Sequence, residues 1–270
     1  MLNLAVMRKT LRQYLPLWGA MLALLVGFVL LFMIAVNQVA LEKQEFLRLP
    51  VIRRFLTIMS GTDPLSLMGP TTITALAFTH PLVWILLGVF TLTVASGVLA
   101  GEMDRGTMDL LATLPVSRAS IYSSAGVVLL GMGMTMCWGV WLGAAVGRVV
   151  LRQSEVRLDL LVRVTWHLCA TWGLIMALAL ALSAMSSRRG PAVAAAFFIL
   201  FYSFVLNVLR AMWPAMDALA WSGLMHYYQP LVVVRDEAYR WRDLAVLVSA
   251  SVAWWAAGWM VFARRDIPAR

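Results

Sequence analysis

Between Pro64 and Gly101 the chain runs 38 residues without a charged side chain, and between Ala119 and Gly147 another 29. About 20 apolar residues suffice to cross a bilayer as a helix, and hydrocarbon tolerates only backbones that satisfy their own hydrogen bonds. Similar runs recur along the chain. They predict an all-α integral membrane protein of six spans, at 17–39, 81–100, 119–147, 164–187, 191–210 and 243–263. A chain of 270 residues that is 62% hydrophobic and 13% charged has more apolar surface than one soluble domain can hide.

The segments between the runs complete the plan. In residues 1–16, Leu4, Met7, Leu11 and Leu15 share one helical face and Arg8, Lys9 and Arg12 the other, which predicts an amphipathic helix lying in the membrane interface. The run that follows has no small-residue cleavage pattern after it and is expected to be kept as the first span. Residues 37–63 and 148–163 are polar and read as external loops. The run from Pro64 to Gly101 is longer than one crossing needs, and His80-Pro81 divides it into a partly inserted or surface segment at 65–78 and the second span. Trp213-Pro214, Gly223 and Pro230 break 212–234 into pieces too short to cross, which predicts re-entrant external half-helices. Gly139, Gly143 and Gly147 recur every fourth residue, a spacing that lets helix backbones approach, either within the chain or at a dimer seam.

Gly101 to Arg118, GEMDRGTMDLLATLPVSR, is a charged island between two uncharged runs. Thr107 is a candidate N-cap with Asp109 in the following turn, and Leu110, Leu111 and Leu114 fall on one face before Pro115 ends the helix. Two turns cannot span a bilayer. The leucines are expected either in the headgroup layer or in a groove on a partner.

The pattern G-E-x-D-x-G-T-x-x-L-L-x-x-x-P-x-S-R resembles the first cytoplasmic loop of ABC-2 type transporter permeases, among them the smaller six-helix members similar to the permease of the nitrous-oxide-reductase maturation system. That resemblance implies a coupling helix that docks on a separate ABC ATPase subunit, with contacts at Glu102, Asp104, Arg105, Gly106, Thr107, Leu110, Leu111, Pro115 and Arg118. The tight turn after the fourth span matches the family's second cytoplasmic contact, so Arg188 and Arg189 are candidates for the same partner or for anionic lipid. The resemblance also implies a second permease copy, export through the cell membrane, cytoplasmic termini, and a translocation path that Asn207 either faces or supports by an interhelical hydrogen bond. Charge alone does not orient the chain: ten of its 22 Lys and Arg fall on the side of the termini and twelve on the other.

Chemistry of other kinds finds no footing in the residues. There is no G-x-x-x-x-G-K-[ST] loop, so ATP and magnesium belong to the partner and no cofactor is expected on this chain. H-E-x-x-H and G-x-S-x-G are both missing, and Cys137 and Cys169, in separate apolar runs, make no zinc spacing. The net charge of +9 is scattered through loops and forms no nucleic-acid stripe; lipid headgroups account for it. His167 reads as an interfacial residue or a proton relay, and His226 as part of an aromatic belt or of a substrate exit. The expectation is a non-catalytic permease subunit, with a membrane scaffold that moves a partner protein under ATPase control as the alternative.

Overall fold

Two of the long apolar helices have starts fixed by the residues that flank them. His80 ends the preceding turn in an extended conformation and accepts the Leu82 N–H on its Nδ1 at 3.2 Å, with Pro81 at the first helical position where a missing N–H costs nothing. Ser117 caps the next long helix in the same way, accepting the Ser120 N–H at 3.2 Å. The computed structural model describes residues 2–42, 69–107 and 116–265. Its helices are α1 (Leu4–Glu42), α2 (Pro70–Leu76), α3 (Pro81–Val98), α4 (Ala100–Asp104), α5 (Arg118–Val150), α6 (Leu158–Met185), α7 (Arg189–Met212), α8 (Pro230–Arg235) and α9 (Trp241–Arg264). Short 3-10 turns cover Ala77–Thr79, Pro214–Ser222 and Leu224–Tyr227. No strand occurs among the described residues.

Six stretches are long and apolar enough to cross a membrane: Leu4–Asn37, Pro70–Val98, Arg118–Val150, Leu158–Met185, Arg189–Arg210 and Trp241–Arg264. Side-chain ties show that they alternate in direction. At one end of the bundle the Asn3 N–H reaches Ser124 Oγ (2.8 Å), Lys9 pairs with Glu102, the Ala100 N–H reaches Ser183 Oγ (3.1 Å) and Arg265 donates to the Ala184 carbonyl (2.8 Å). At the other end Gln153 donates to Asn37 (2.8 Å), the Arg157 N–H to Thr71 Oγ1 (2.9 Å) and the Arg240 N–H to His167 Nε2 (3.3 Å). The described ends of the chain and the start of the island therefore share the first end, called here the terminal end.

Helix α6 is the buried centre, packed by α3, α5, α7 and α9. Its Trp172 lies against Gly133 and donates its indole N–H to Thr91 Oγ1 at 2.8 Å, joining three helices in the interior. Gly139, Gly143 and Gly147 all face α1, meeting Leu22, Val26 and Met33, so the stripe is spent on packing within the chain. In a bilayer the apolar effect does not hold helices together, and close contact across small residues takes its place.

Three sequence expectations change. Residues 1–16 and 17–39 form one helix, because Pro16 removes a single backbone bond and no stronger break follows. Val6, Thr10 and Tyr14 turn inward and are buried, which leaves Leu4, Leu11 and Leu15 facing outward. The described part of 65–78 is protein interior: Thr71, Thr72, Thr74, Ala75, Ala77 and Phe78 are buried, and α2 packs on α8. The segment 212–234 is broken where its prolines and Gly223 predict, and it leaves and rejoins the bundle at the end opposite the termini. Tyr228 holds it there by donating to the Phe78 carbonyl at 3.2 Å. Residues 43–68, most of the first expected external loop, lie outside the described residues.

Candidate functional site

The described part of the island is built on the close of a helix. After a break at Leu99, α4 makes little more than one turn and ends on Gly106, whose φ of 71° is costly for any residue with a Cβ. The Gly106 N–H donates to the Met103 carbonyl (3.1 Å) and the Thr107 N–H to the Glu102 carbonyl (3.0 Å), the paired bonds of a Schellman motif. Gly-Thr therefore terminates one helix before it can begin another. Thr107 also turns its hydroxyl back on Glu102, 2.6 Å from Oε2.

Glu102 is the centre of this end. Its side chain is 7% exposed and its Oε1 lies 3.2 Å from both Lys9 Nζ on α1 and the Arg105 guanidinium. Burial alone raises its pKa, but the Thr107 hydroxyl and the charges of Lys9 and Arg105 together outweigh it and hold the carboxyl below the usual glutamate range. The carboxylate thus stays charged and ties the island to the first span.

A second tie reaches α7. Arg189 donates its backbone N–H to Asp104 Oδ2 (3.4 Å) and its Nε–H to Ser96 Oγ (3.2 Å), while its Cδ lies beside Gly101. A third reaches α6 through the bond from Ala100 to Ser183. Glu102, Asp104, Arg105, Gly106, Thr107 and Arg189 are brought together. Arg188, next to Arg189, is exposed at the start of α7, and Arg118 opens α5 half-buried. Leu110, Leu111 and Pro115, with Asp109 and Leu114, lie outside the described residues. Sequence reasoning missed Lys9, Ser96 and Ser183: a lysine 93 residues before its partner, and serines inside apolar runs, carry no local signal.

The opposite end holds a second polar group. Arg210 donates to Asp217 (3.0 Å) and faces His226 Nδ1 (3.0 Å), and Arg240 donates to Gln229 (2.7 Å). The Arg240 Nε also lies 2.6 Å from Asp243 Oδ2, off the hydrogen-bond axis. Desolvation, then the Arg210 charge, lower the pKa of His226, which favours the neutral ring. His226 borders a cavity of about 430 Å³ with Trp221, Tyr227, Arg240, Trp241, Arg242 and Asp243. His167 is buried within the protein: its Nε2 accepts from Arg240, so its Nδ1 carries the proton and donates to the Arg163 carbonyl at 2.9 Å. Both ring nitrogens are therefore occupied, Nδ1 within α6 and Nε2 in holding α6 to the start of α9. Asn207 is half-buried on α7. Among the described residues no three His, Cys, Asp or Glu side chains gather as a metal site.

Residues 7–267 match the family model described as ABC-2 family transporter protein. No curated protein and no solved structure is significantly similar to the chain.

Proposed function

This chain belongs to the ABC-2 family of transporter proteins, and on that premise we propose that it exports its substrate by taking up the motion of a separate ATPase through residues 101–118. It is a multi-pass permease subunit of an ABC transporter, and such permeases work in the bilayer with an ABC ATPase. In this reading the terminal end is cytoplasmic, Leu110 and Leu111 seat in a groove on the ATPase, and Arg118 and Arg188 contact it at the rim. A second copy of the chain completes the path, which Asn207 borders.

The observation that carries the proposal is the buried Glu102. A displacement applied to the island passes through its carboxylate to Lys9 on the first span and through Asp104 to Arg189 on the fifth. A loop that served only as a connection would not need a buried charge anchored to a span, since burying a carboxylate is costly unless it is paired.

The test uses two variants of the full chain expressed with its ATPase. Truncating a buried apolar anchor typically costs about 2 kcal/mol, roughly thirtyfold in affinity. Leu110→Ala with Leu111→Ala is expected to leave the permease inserted but to abolish co-purification of the ATPase. Glu102→Gln is expected to keep the complex and reduce ATP-dependent export. Recovery of the ATPase at full stoichiometry by the double variant would overturn the docking assignment. ATP hydrolysis by the reconstituted complex with no solute accumulation across the membrane would instead favour a scaffold that moves a partner protein.

A further inference from the structure

Helices α1 and α5 touch closely along the glycine stripe and leave a groove between them nearer the terminal end. A Cβ on Gly143 would lie 2.8 Å from the Val26 carbonyl oxygen, whereas a Cβ on Gly131, three turns nearer that end, would meet nothing within 4 Å. The space left between the helices is an apolar groove of about 270 Å³, lined by Leu11, Leu15, Trp18, Val127, Gly131 and Thr135. Trp18 closes its inner end by donating its indole N–H to the Met132 carbonyl (3.0 Å) and Thr135 Oγ1 (2.9 Å). Leu11 to Trp18 spans about 10 Å of helix, room for part of an acyl chain.

Charge stands beside the groove on α1. Arg8 stands three residues before Leu11, and Arg12 three before Leu15, so both flank the leucine stripe at helical spacing. Both are exposed, and neither has a partner among the described residues, whereas Lys9 between them is committed to Glu102. Helical side chains lean toward the N-terminus, which carries the two guanidinium groups toward the headgroup layer at the terminal end. Guanidinium forks match phosphate oxygens in pairs.

We propose that this groove is a binding site for one anionic phospholipid, its acyl chain lying between Leu11, Leu15 and Gly131 and its phosphate held by Arg8 and Arg12. The charge of the two arginines favours an anionic headgroup over a zwitterionic one, and the closed inner end favours an inserted chain over a water-borne phosphate. The site depends on membrane placement and not on the docking of an ATPase.

Native mass spectrometry of the full chain, extracted from vesicles of equal phosphatidylglycerol and phosphatidylcholine, reads the lipid retained. The unsubstituted protein is expected to keep phosphatidylglycerol in preference. Arg8→Gln with Arg12→Gln should lower that preference roughly thirtyfold, since each basic side chain near an anionic surface contributes about a factor of five. Gly131→Leu, which fills the groove while leaving both arginines, should lose the retained lipid, and Gly131→Ala should keep it. The exposed arginine pair tests the idea even if Gly131→Leu fails to fold. An unchanged preference in the arginine variant, or unchanged retention in folded Gly131→Leu, would overturn the site. So would a shift of Gly131→Leu from dimer to monomer with its lipid intact, which would give the groove to a second copy.

Discussion

Gly143→Ala tests the point where the third span meets the backbone of the first. The new methyl would sit 2.8 Å from the Val26 carbonyl oxygen and 2.8 Å from Val29 Cβ. Both are about 0.7 Å short of the roughly 3.5 Å at which carbon contacts become favourable. A carbonyl cannot rotate away as a leucine tip can, so α1 must retreat as a unit, loosening Leu22 from Gly139 and Met33 from Gly147 as it goes. Overpacking of this kind costs about 1–3 kcal/mol, against which alanine regains up to about 1 kcal/mol of helix propensity. Relative to an alanine that gains the same propensity without the clash, the expected loss is about 1–3 kcal/mol, or roughly 2–12 °C in melting temperature for a chain of this size. Cys137 and Cys169 are both free and buried, so a thiol-reactive dye reports unfolding in detergent without added labels. Gly131→Ala, in open space on the same helix, controls for the propensity gain and should melt no lower than the unsubstituted protein. If Gly143→Ala melts level with Gly131→Ala, the two helices do not meet as closely as described, and the packing argument fails.

Three further outcomes are expected. In a variant lacking Cys137 and Cys169, a cysteine at Ser117 should resist membrane-impermeant thiol reagent in intact cells while one at Glu155, exposed at the opposite end, should react; the reverse pattern would invert the topology. His167→Leu should lower stability by about 1–3 kcal/mol, because it strips the Arg240 N–H of its partner, and an unchanged melt would show that water replaces the ring. The lowered pKa of Glu102 means that its stabilising contribution is complete above the ordinary glutamate value of about 4.3 and fades as pH falls through the lower folded value. The melting difference between the unsubstituted protein and Glu102→Gln should therefore hold from pH 7 down to the ordinary glutamate range and shrink as the pH falls below it, whereas a constant difference would mean that the carboxylate charge is not what ties the island to α1.

The six spans were legible because crossing hydrocarbon demands length and apolarity, and both are written residue by residue. The breaks at Pro214, Gly223 and Pro230 were legible for the same local reason: a missing N–H or a missing Cβ acts where it stands. The glycine stripe showed that some helix comes close, and only packing revealed that the helix is α1 rather than a second copy. Hydrophobicity likewise placed Leu4, Leu11 and Leu15 together but not on a side, since a leucine facing lipid and one facing protein carry the same signal.

The island shows the same division at the scale of single residues. Its charges between two uncharged runs marked it in the sequence, as did Gly106, whose left-handed backbone needs no distant partner. The roles of its acids were decided by tertiary structure. Glu102 is buried and charged because Lys9 arrives from 93 residues away, and Arg189 turns inward while Arg188 does not because Asp104 and Ser96 happen to lie beneath it. Length, polarity and backbone freedom belong to a residue and travel with its letter. Which charge meets which is a property of the assembled bundle, because the energy of a buried carboxylate depends on whatever the fold brings within about 4 Å of it.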